Sequence, residues 1–245
     1  ASGMAVMKER EKKSGVVVID IGGGTTEVAL YIDGAIRYSE VIKVAGNDVT
    51  HDIAHGIRAL YEVAEDLKIK HGCAHSKLMG DDEELLIEGI EGRPQKSVPK
   101  SSLTMIIEAR MLEILELVRD SIKRSGYYEY LNAGAIITGG GSLLPGTEEL
   151  AHEVLGLDVR KGTPEGVSGG IKEAVNNPMY ATVMGLVAHS FENNLSAAHS
   201  YDPVIEPMPK EELPAQQEEV VVPQEPQSPA GKKIVDRFKN FWDNL

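Results

Sequence analysis

The first place where this sequence could do chemistry is the glycine turn made by Gly22, Gly23 and Gly24. It lies in the string Asp-Ile-Gly-Gly-Gly-Thr-Thr-Glu, which begins at Asp20. The string has neither the third glycine of a dinucleotide fingerprint nor the Gly-Lys-Ser/Thr of a P-loop, so neither nucleotide site is predicted. A glycine turn between two strands can instead present consecutive backbone N–H groups to the oxygens of a phosphate.

Three side chains beside this turn fit the same chemistry. Thr25 and Thr26 would add hydroxyl donors, and Asp20, at the end of the first strand, could orient the water shell of a Mg²⁺ ion. The turn by itself leaves an alternative open, which is a tight hairpin that needs glycine only for its backbone angles.

A second glycine-rich loop, made by Gly139, Gly140, Gly141 and Ser142, lies between a predicted strand and a predicted helix. Glycine there permits a flat ring or a sugar to approach the backbone closely, and the helix N-terminus adds a favourable partial positive charge. Gly24 and Gly139 are 115 positions apart. The two loops together indicate a nucleotide site more strongly than either loop alone.

Two histidine groups imitate metal sites, and we expect neither to bind a metal. His51 and His55 lie in His-Asp-Ile-Ala-His, which resembles the zinc-protease pattern, but aspartate is too short for the usual base role and a third ligand is missing. His71, Cys73 and His75 alternate, but a lone cysteine is typically a small buried residue. No serine lies in a Gly-x-Ser-x-Gly elbow, so nucleophilic hydrolysis is not predicted.

The elements that must position the loops follow from hydrophobic period, which makes residues 15–190 an α/β region. Strands at 16–21, 26–32 and 36–44 form a predicted antiparallel meander, and one long helix is expected over about 48–67. The later predictions are a strand at 85–87, a second long helix from Leu103 to Val118, a strand at 133–137, a helix at 145–155 with Pro145 as its first residue, and a closing helix at 178–190.

Composition excludes several classes of protein. The 245 residues suffice for one large domain or two small ones, and a formal net charge of −13 argues against nucleic-acid binding. The single cysteine favours a reducing cytoplasm, and no apolar run approaches the roughly 20 residues that cross a bilayer. Because residues 1–14 are charged and the chain opens on Ala1 without a methionine, we expect a processed or excised piece without a signal peptide.

The last part of the chain has a different composition. Residues 202–231 hold seven of the 12 prolines and seven acidic residues, so we expect an extended, disordered linker over 191–231. After it, residues 232–245 predict an amphipathic helix with a net basic polar face. Its apolar stripe is Ile234, Val235, Phe238, Phe241, Trp242 and Leu245. An aromatic helix on a long tether favours an interfacial membrane anchor, and the alternative is docking on its own domain or on a partner.

Several distinctive strings follow one another along residues 15–190. The main strings are residues 20–27, residues 64–68 (Ala-Glu-Asp-Leu-Lys) and the glycines at 139–141. The supporting strings are Val-Ala-Gly-Asn at 44–47, Asp-Ile-Ala at 52–54, Lys-His-Gly-Cys-Ala at 70–74, Gly-Arg-Pro at 92–94 and Pro-Met-Tyr-Ala-Thr-Val-Met-Gly-Leu at 178–186. In this order they resemble the FtsA family of bacterial cell-division proteins, within the superfamily of actin, Hsp70 and sugar kinases.

The resemblance implies the second half of an actin-like (RNase H-like) ATPase fold that binds ATP with Mg²⁺. Residues 15–71 and 131–190 would form the nucleotide-binding subdomain, residues 72–130 a small α/β insertion, and residues 1–14 a connecting segment. Gly22 to Thr25 would be the second phosphate loop, with Asp20 facing the Mg²⁺-bound phosphates and Gly139 to Ser142 under the nucleoside. Glu65 and Lys68 would lie at the ribose and adenine, although such a helical pair is commonly an ordinary solvated ion pair.

The resemblance also implies partners. The insertion is where the tail of the tubulin-like division protein FtsZ would dock, at Arg93, Arg110 and Glu113, for which plain surface charge is the alternative. Membrane lipids, further division proteins and copies of the chain in filaments are the other expected partners. The expected location is the cytoplasmic side of the bacterial membrane at the division site.

One part of the family pattern is missing, because residues 1–14 cannot supply the first phosphate loop and its hydrolytic side chain. We therefore expect this chain alone to bind ATP weakly or not at all and not to hydrolyse it. Two alternatives stay open, an ATP-dependent enzyme of the same superfold, such as a sugar kinase or polyphosphatase, and an actin-like filament protein for cell shape or pilus assembly.

Overall fold

The fold is described from a computed structural model, which describes residues 1–87, 94–165 and 175–192. The chain divides into two compact units, residues 1–200 and 201–245, and all described residues belong to the first. Arg93, most of the predicted linker and the whole predicted amphipathic helix therefore lie outside the described residues. Among the described helices, none is long and apolar enough to span a membrane.

A five-stranded sheet forms the centre of the first unit. Its strands are β1 Val16–Ile21, β2 Thr26–Ile32, β3 Ala35–Ile42, β6 Ala135–Thr138 and β7 Val159–Lys161. Their order across the sheet is β3-β2-β1-β6-β7. The first three strands pair antiparallel, which confirms the predicted meander, whereas β1, β6 and β7 are parallel. Asp33 and Gly34 both have positive φ, which is the backbone of a two-residue hairpin turn.

Seven α-helices, four short 3₁₀-helices and a second, two-stranded sheet complete the described elements. The 3₁₀-helices are Ser76–Leu78, Tyr128–Tyr130, Gly140–Leu143 and Pro178–Tyr180. The helices are α1 Ser2–Val6, α2 Glu9–Ser14, α3 Gly46–Gly56, α4 Tyr61–His71, α5 Lys100–Ser125, α6 Thr147–Leu155 and α7 Ala181–Glu192. Strands β4 Glu84–Ile87 and β5 Lys96–Pro99 pair antiparallel, so the strand predicted at 85–87 is confirmed. The sequence pattern did not predict α1, α2, β5 or β7.

The single long helix predicted over 48–67 is wrong, because α3 and α4 are separate helices. The chain leaves the helical conformation after Gly56, and Arg58 takes a left-handed φ of 50° that a continuing α-helix does not permit. Lys96 donates to the carbonyls of Ile57 and Arg58, which satisfies acceptors at the end of α3. The apolar residues continue at helical spacing through this break. Their spacing alone therefore predicts one helix where the structure has two.

Pro145 is not the first residue of a helix, which corrects a second prediction. Helix α6 begins at Thr147, and the residue before it, Gly146, has a left-handed φ of 84°. A Cβ at Gly146 would lie 2.7 Å from the Cβ of His75, so the chain turns there against another segment. The Pro145 carbonyl accepts from the Ala74 N–H at 2.7 Å, which fastens this turn.

The two faces of the sheet are covered unequally. Helices α3, α5 and α6 pack on one face around a large apolar cluster that includes Ile19, Ile53 and Ile107. Helices α1 and α7 lie on the other face over a smaller cluster that includes Val18 and Ala181. The insertion predicted at 72–130 stays a prediction, and within it α5 packs directly on α3 and α6.

Candidate functional site

The two glycine loops meet because their preceding strands are neighbours. Strands β1 and β6 pair in parallel, with Asp20 opposite Thr138. Each loop follows the carboxyl end of its strand, and the carboxyl ends of adjacent parallel strands share one edge of a sheet. Ligands of α/β proteins commonly bind at that edge. The pairing thus joins loops that are far apart in sequence.

The first loop is a turn that is hydrogen-bonded to the start of α3. The Gly22 N–H donates to the Thr25 carbonyl at 2.9 Å and closes the turn. The N–H groups of Gly46 and Asn47 donate to the carbonyls of Gly22 and Gly23, at 3.0 and 2.7 Å. Within the described part of the chain, the N–H groups of Gly23 and Gly24 make no hydrogen bond. Both residues are exposed, so these amides can donate to an anion.

The two threonines after this turn differ in their contacts. Thr25 is half-buried, and its hydroxyl donates to Glu27 Oε1 at 3.0 Å. Thr26 is fully buried, and its hydroxyl donates to the Val44 carbonyl at 2.8 Å. This hydrogen bond links the start of β2 to the segment after β3 and so helps to position the first loop.

The second loop is packed tightly against β1. Gly139 has φ 80° and ψ 171°, a conformation nearly exclusive to glycine. A Cβ at Gly139 would lie 2.4 Å from Asp20 Oδ1, and one at Gly141 would lie 2.4 Å from a methyl carbon of Ile21. The buried Ser142 hydroxyl donates to the Gly139 carbonyl at 2.7 Å and so braces the loop. Gly140 is exposed, and no heavy atom of the described part of the chain lies within 4 Å of the position a Cβ would take.

Asp20 lies between the two loops with 6% of its surface exposed. Thr182, near the start of α7, donates its hydroxyl hydrogen to Asp20 Oδ2 at 2.8 Å. No cationic side chain of the described residues forms an ion pair with Asp20. A buried carboxylate held by one neutral donor fits an oxygen ligand for Mg²⁺ or for its bound water. The residues present therefore fit the metal expected from the sequence.

Glu65 and Lys68 form a network with α3 rather than a solvated surface pair. Lys68 Nζ lies 2.7 Å from Glu65 Oε2 and donates to the Gly46 carbonyl at 3.0 Å and to the Thr50 hydroxyl at 2.7 Å. The Thr50 hydroxyl in turn donates to Glu65. Burial by itself raises the pKa of the Glu65 carboxyl, but the hydrogen bonds from Lys68 and Thr50 and the Lys68 charge hold that pKa below its ordinary value of 4.5.

This network lies next to the first loop, since Gly46 donates to Gly22 and accepts from Lys68. The structure thus brings the predicted residues of α4 beside the predicted phosphate loop. The resemblance to the FtsA family implied a place for Glu65 and Lys68 at the nucleotide, whereas their helical spacing by itself indicates only a surface pair. The hydrogen bonds from Lys68 to Gly46 and Thr50 join α4 to the start of α3.

A comparison with protein families shows which family this chain belongs to. Residues 17–185, more than half of the chain, match the sequence model described as "Cell division protein FtsA". The chain belongs to the FtsA family.

Several FtsA proteins are similar to the chain. FtsA of Pseudomonas aeruginosa is 40% identical over 192 residues, which cover 78% of this chain and 46% of that protein. FtsA of Neisseria meningitidis is 41% identical over 198 residues, or 80% of this chain and 48% of that protein. FtsA of Escherichia coli strain K12 is 36% identical over 203 residues, which cover 80% of this chain and 48% of that protein. The chain spans about half the length of these FtsA relatives.

Solved structures show that the fold is actin-like. MreB5 of Spiroplasma citri, bound to ADP, matches with a TM-score of 0.63 at 21% identity, over 80% of this chain and 59% of that chain. A chain of the PilM–PilN type IV pilus biogenesis complex matches with a TM-score of 0.54 at 20% identity, over 74% of this chain and 47% of that chain. The actin-like fold expected from the FtsA resemblance is confirmed.

Three site residues were missed by the sequence reasoning, namely Asn47, Thr50 and Thr182. Asn47 and Thr50 lie at the start of α3, where they contact the first loop and the Glu65–Lys68 pair. Thr182 lies in a string that was quoted for its FtsA resemblance, but nothing in that string indicates a contact with Asp20. A single threonine in a helix carries no spacing signal, so only the folded chain reveals these contacts.

Two of the residues expected to bind the FtsZ tail are paired within the chain. The Arg110 guanidinium on α5 donates to both carboxylate oxygens of Asp52 on α3, with Nη2–Oδ1 at 2.9 Å, and also to Glu113. Its hydrogen bonds with Asp52 hold the Arg110 pKa above its ordinary range. Burial raises the pKa of the Glu113 carboxyl although Arg110 opposes this. These pairs join α3 to α5, and FtsZ binding at Arg110 and Glu113 stays a prediction.

The histidine groups considered as metal sites have other contacts. The His51 ring packs on Tyr61 with ring centroids 4.9 Å apart. Cys73 is buried and donates to the His75 carbonyl, while the His75 ring lies between Glu108 and Glu153. Among the described residues, no group of three or more His, Cys, Asp or Glu side chains is placed to hold a metal ion.

Proposed function

We propose that this chain acts as an FtsA division protein whose nucleotide site controls its self-association. In this proposal it tethers FtsZ filaments to the cytoplasmic face of the bacterial membrane at the division site, together with other division proteins. Family membership supports the cell-division role. The sugar-kinase, polyphosphatase, cell-shape and pilus alternatives lose support, because the matching family and its FtsA relatives are division proteins.

One observation carries the nucleotide part of the proposal, which is that Asp20 lies buried between two glycine loops at one edge of the sheet. The free N–H groups of Gly23 and Gly24 would bind phosphate oxygens, with the hydroxyl of Thr25 beside them. The backbone of Gly139, Gly140 and Gly141 would lie under the nucleoside, where the absence of side chains permits close approach.

Two further parts of the site would complete the binding of ATP. Asp20 would hold the Mg²⁺ ion through a bound water, and that ion would neutralise the charge of the phosphates. Glu65 would accept hydrogen bonds from ribose hydroxyls because its pKa lies below the ordinary value, so that it is ionised at neutral pH. Lys68 would place its positive charge near the nucleotide while it holds Glu65 in position.

A direct test measures nucleotide binding and hydrolysis by the 245-residue chain. Millimolar ATP with Mg²⁺ should shift the amide resonances of Gly23 and Gly24, with no phosphate released above the buffer rate. Asp20→Asn should abolish the Mg²⁺-dependent part of that shift. The matched control Asp33→Asn changes an aspartate in the β2–β3 turn, at the other end of the sheet, and should leave it unchanged.

Two results would count against the nucleotide proposal. Unchanged loop resonances at millimolar Mg²⁺·ATP would exclude nucleotide binding by this chain alone, which the proposal requires. Measurable hydrolysis by the chain alone would instead overturn the view that it carries only one side of the site.

The tethering part rests on the sequence pattern of residues 232–245 and is tested by co-sedimentation. Vesicles of anionic lipid should pellet the full chain, and FtsZ added to the mixture should pellet with it. A chain that ends at Gly231 should leave both proteins in the supernatant. The control Asp236→Asn keeps the apolar stripe and should still pellet. Equal behaviour of the full and shortened chains would overturn the proposed membrane anchor.

A further inference from the structure

Thr182 contacts the candidate site from an element that the sequence reasoning did not connect with it. It is the second residue of α7, and its hydroxyl reaches Asp20 Oδ2 at 2.8 Å across 162 positions of sequence. Among the described residues, Thr182 is the side chain that hydrogen-bonds to this carboxylate. The contact therefore determines how one oxygen of a buried carboxylate is oriented.

The other side of the carboxylate is confined by the second glycine loop. The position of a Cβ on Gly139 would be 2.4 Å from Asp20 Oδ1, so the backbone of that loop packs directly against this oxygen. With Oδ2 held by Thr182 and Oδ1 packed against Gly139, the Asp20 side chain has little freedom to rotate about χ1 or χ2. Removing the hydroxyl would release one of the two constraints.

One side of helix α7 packs against the rest of the unit at this place. Ala181, next to Thr182, is buried in the smaller apolar cluster with Val16 and Val18. Further along the helix, Gly185 approaches the backbone of Ala1 so closely that a Cβ would lie 2.0 Å from the Ala1 carbonyl oxygen. A donor carried by a packed helix has a defined position, which is what orientation of a ligand-binding carboxylate requires.

We infer that Thr182 is a positioning residue for Asp20, and that it sets the Mg²⁺ dependence of nucleotide binding at this site. The second half of this inference rests on the proposed nucleotide function, whereas the orientation of Asp20 does not. A hydrogen bond to an ionised group contributes enough that its loss should lower Mg²⁺-dependent affinity about tenfold. Binding measured without Mg²⁺ should change much less, because Thr182 acts through Asp20.

The test uses three variants of the full chain. Thr182→Val keeps the shape of the side chain and removes the hydroxyl, and Thr182→Ser keeps the hydroxyl. Thr104→Val is the matched control, since Thr104 is fully buried on α5 and its hydroxyl has no hydrogen-bond partner among the described residues. Circular dichroism and urea unfolding first establish that each variant is folded.

The first measurement is the χ1 angle of Asp20, from three-bond couplings of its side-chain carbon, without nucleotide. Wild type, Thr182→Ser and Thr104→Val should each give a single χ1 rotamer, and Thr182→Val should give averaged couplings. A single unchanged rotamer in Thr182→Val would overturn the positioning role. This result does not depend on whether the chain binds nucleotide.

The second measurement is the affinity for ATP with Mg²⁺ and with EDTA. The ratio of the two affinities should fall about tenfold in Thr182→Val and recover in Thr182→Ser. An unchanged ratio would overturn the role of Thr182 in Mg²⁺ dependence. Absence of any Mg²⁺-dependent binding by the wild type would refute nucleotide binding by this chain alone and with it the proposed effect of Thr182 on affinity, while the χ1 couplings would still decide the orientation of Asp20.

Discussion

The two glycine loops have nearly the same composition but need glycine for different physical reasons. In the first loop none of Gly22, Gly23 and Gly24 has a positive φ, and the space around Gly24 is open. In the second loop Gly139 has a positive φ and its α-carbon packs against Asp20 and Ile21. The fold therefore requires glycine at position 139. At position 24, glycine instead leaves the backbone N–H open to a ligand.

This difference separates stability from ligand binding. A side chain at Gly139 must push the second loop away from β1, which disturbs the fold before any ligand arrives. A side chain at Gly24 would meet only the open side of the turn, where the proposed phosphate would lie. Comparable glycine runs in a sequence can thus have unrelated roles, and substitution separates them.

Gly139→Ala should have the largest effect and lower the free energy of unfolding by about 2–4 kcal/mol. The reason is the combination of a backbone conformation that alanine avoids with a Cβ only 2.5 Å from the Ile21 carbonyl oxygen. Urea unfolding followed by circular dichroism measures it. Gly140→Ala, in the same loop but with open space around it, is the control and should stay within about 0.5 kcal/mol of wild type. Equal losses for the two variants would contradict the packing argument.

Lys68→Met should have the next largest effect, a loss of about 1–3 kcal/mol, because it leaves acceptors without their charged donor behind the first loop. The Lys68 side chain is only 11% exposed. Lys70→Met is the control, since Lys70 is 62% exposed and pairs with Asp66 on the surface of the same helix. Urea midpoints that fall equally in both variants would mean that the buried network does not support the first loop.

Glu65→Gln should reveal a smaller, pH-dependent contribution from the same network. The pKa of Glu65 lies below 4.5 in the folded chain, so its ionised form stabilises the fold above about pH 4.5. That contribution disappears as the pH falls through the lower folded pKa. The difference in urea midpoint between wild type and Glu65→Gln should therefore be larger at pH 7 than at pH 3. Glu62→Gln, at an exposed position on the same helix, is the control. A difference in urea midpoint that is larger at pH 3 than at pH 7 would contradict a lowered pKa of Glu65.

Gly24→Ala should have the smallest effect on stability, within about 0.5 kcal/mol, because a Cβ there meets no atom of the described residues within 4 Å. The substitution keeps the backbone N–H but places a methyl group on the exposed turn. Its midpoint in urea, measured beside that of Gly139→Ala, sharpens the contrast between the two loops. A loss as large as that of Gly139→Ala would show that both loops need glycine for the same reason.

Local patterns were enough to predict much of the framework. The β-branched run from Val16 to Ile21, the Asp33-Gly34 turn and the alternation in β2 predicted the antiparallel meander, and the structure confirms it. The glycine loops and the strand before the second loop were also identified, because they depend on neighbours in sequence. The break at Arg58 was missed, since apolar positions continued at helical spacing through it.

The sequence by itself determined the type of this protein, in the sense that its motifs and their order indicated the FtsA family and the family comparison confirms it. Tertiary structure alone decided which residues meet at the candidate site. The parallel pairing of β1 with β6 joins the two loops, the start of α3 holds the first loop from behind, and α7 brings Thr182 to Asp20. Hydrophobic period and turn chemistry act over a few residues, whereas these contacts depend on how whole elements pack, which no local pattern encodes.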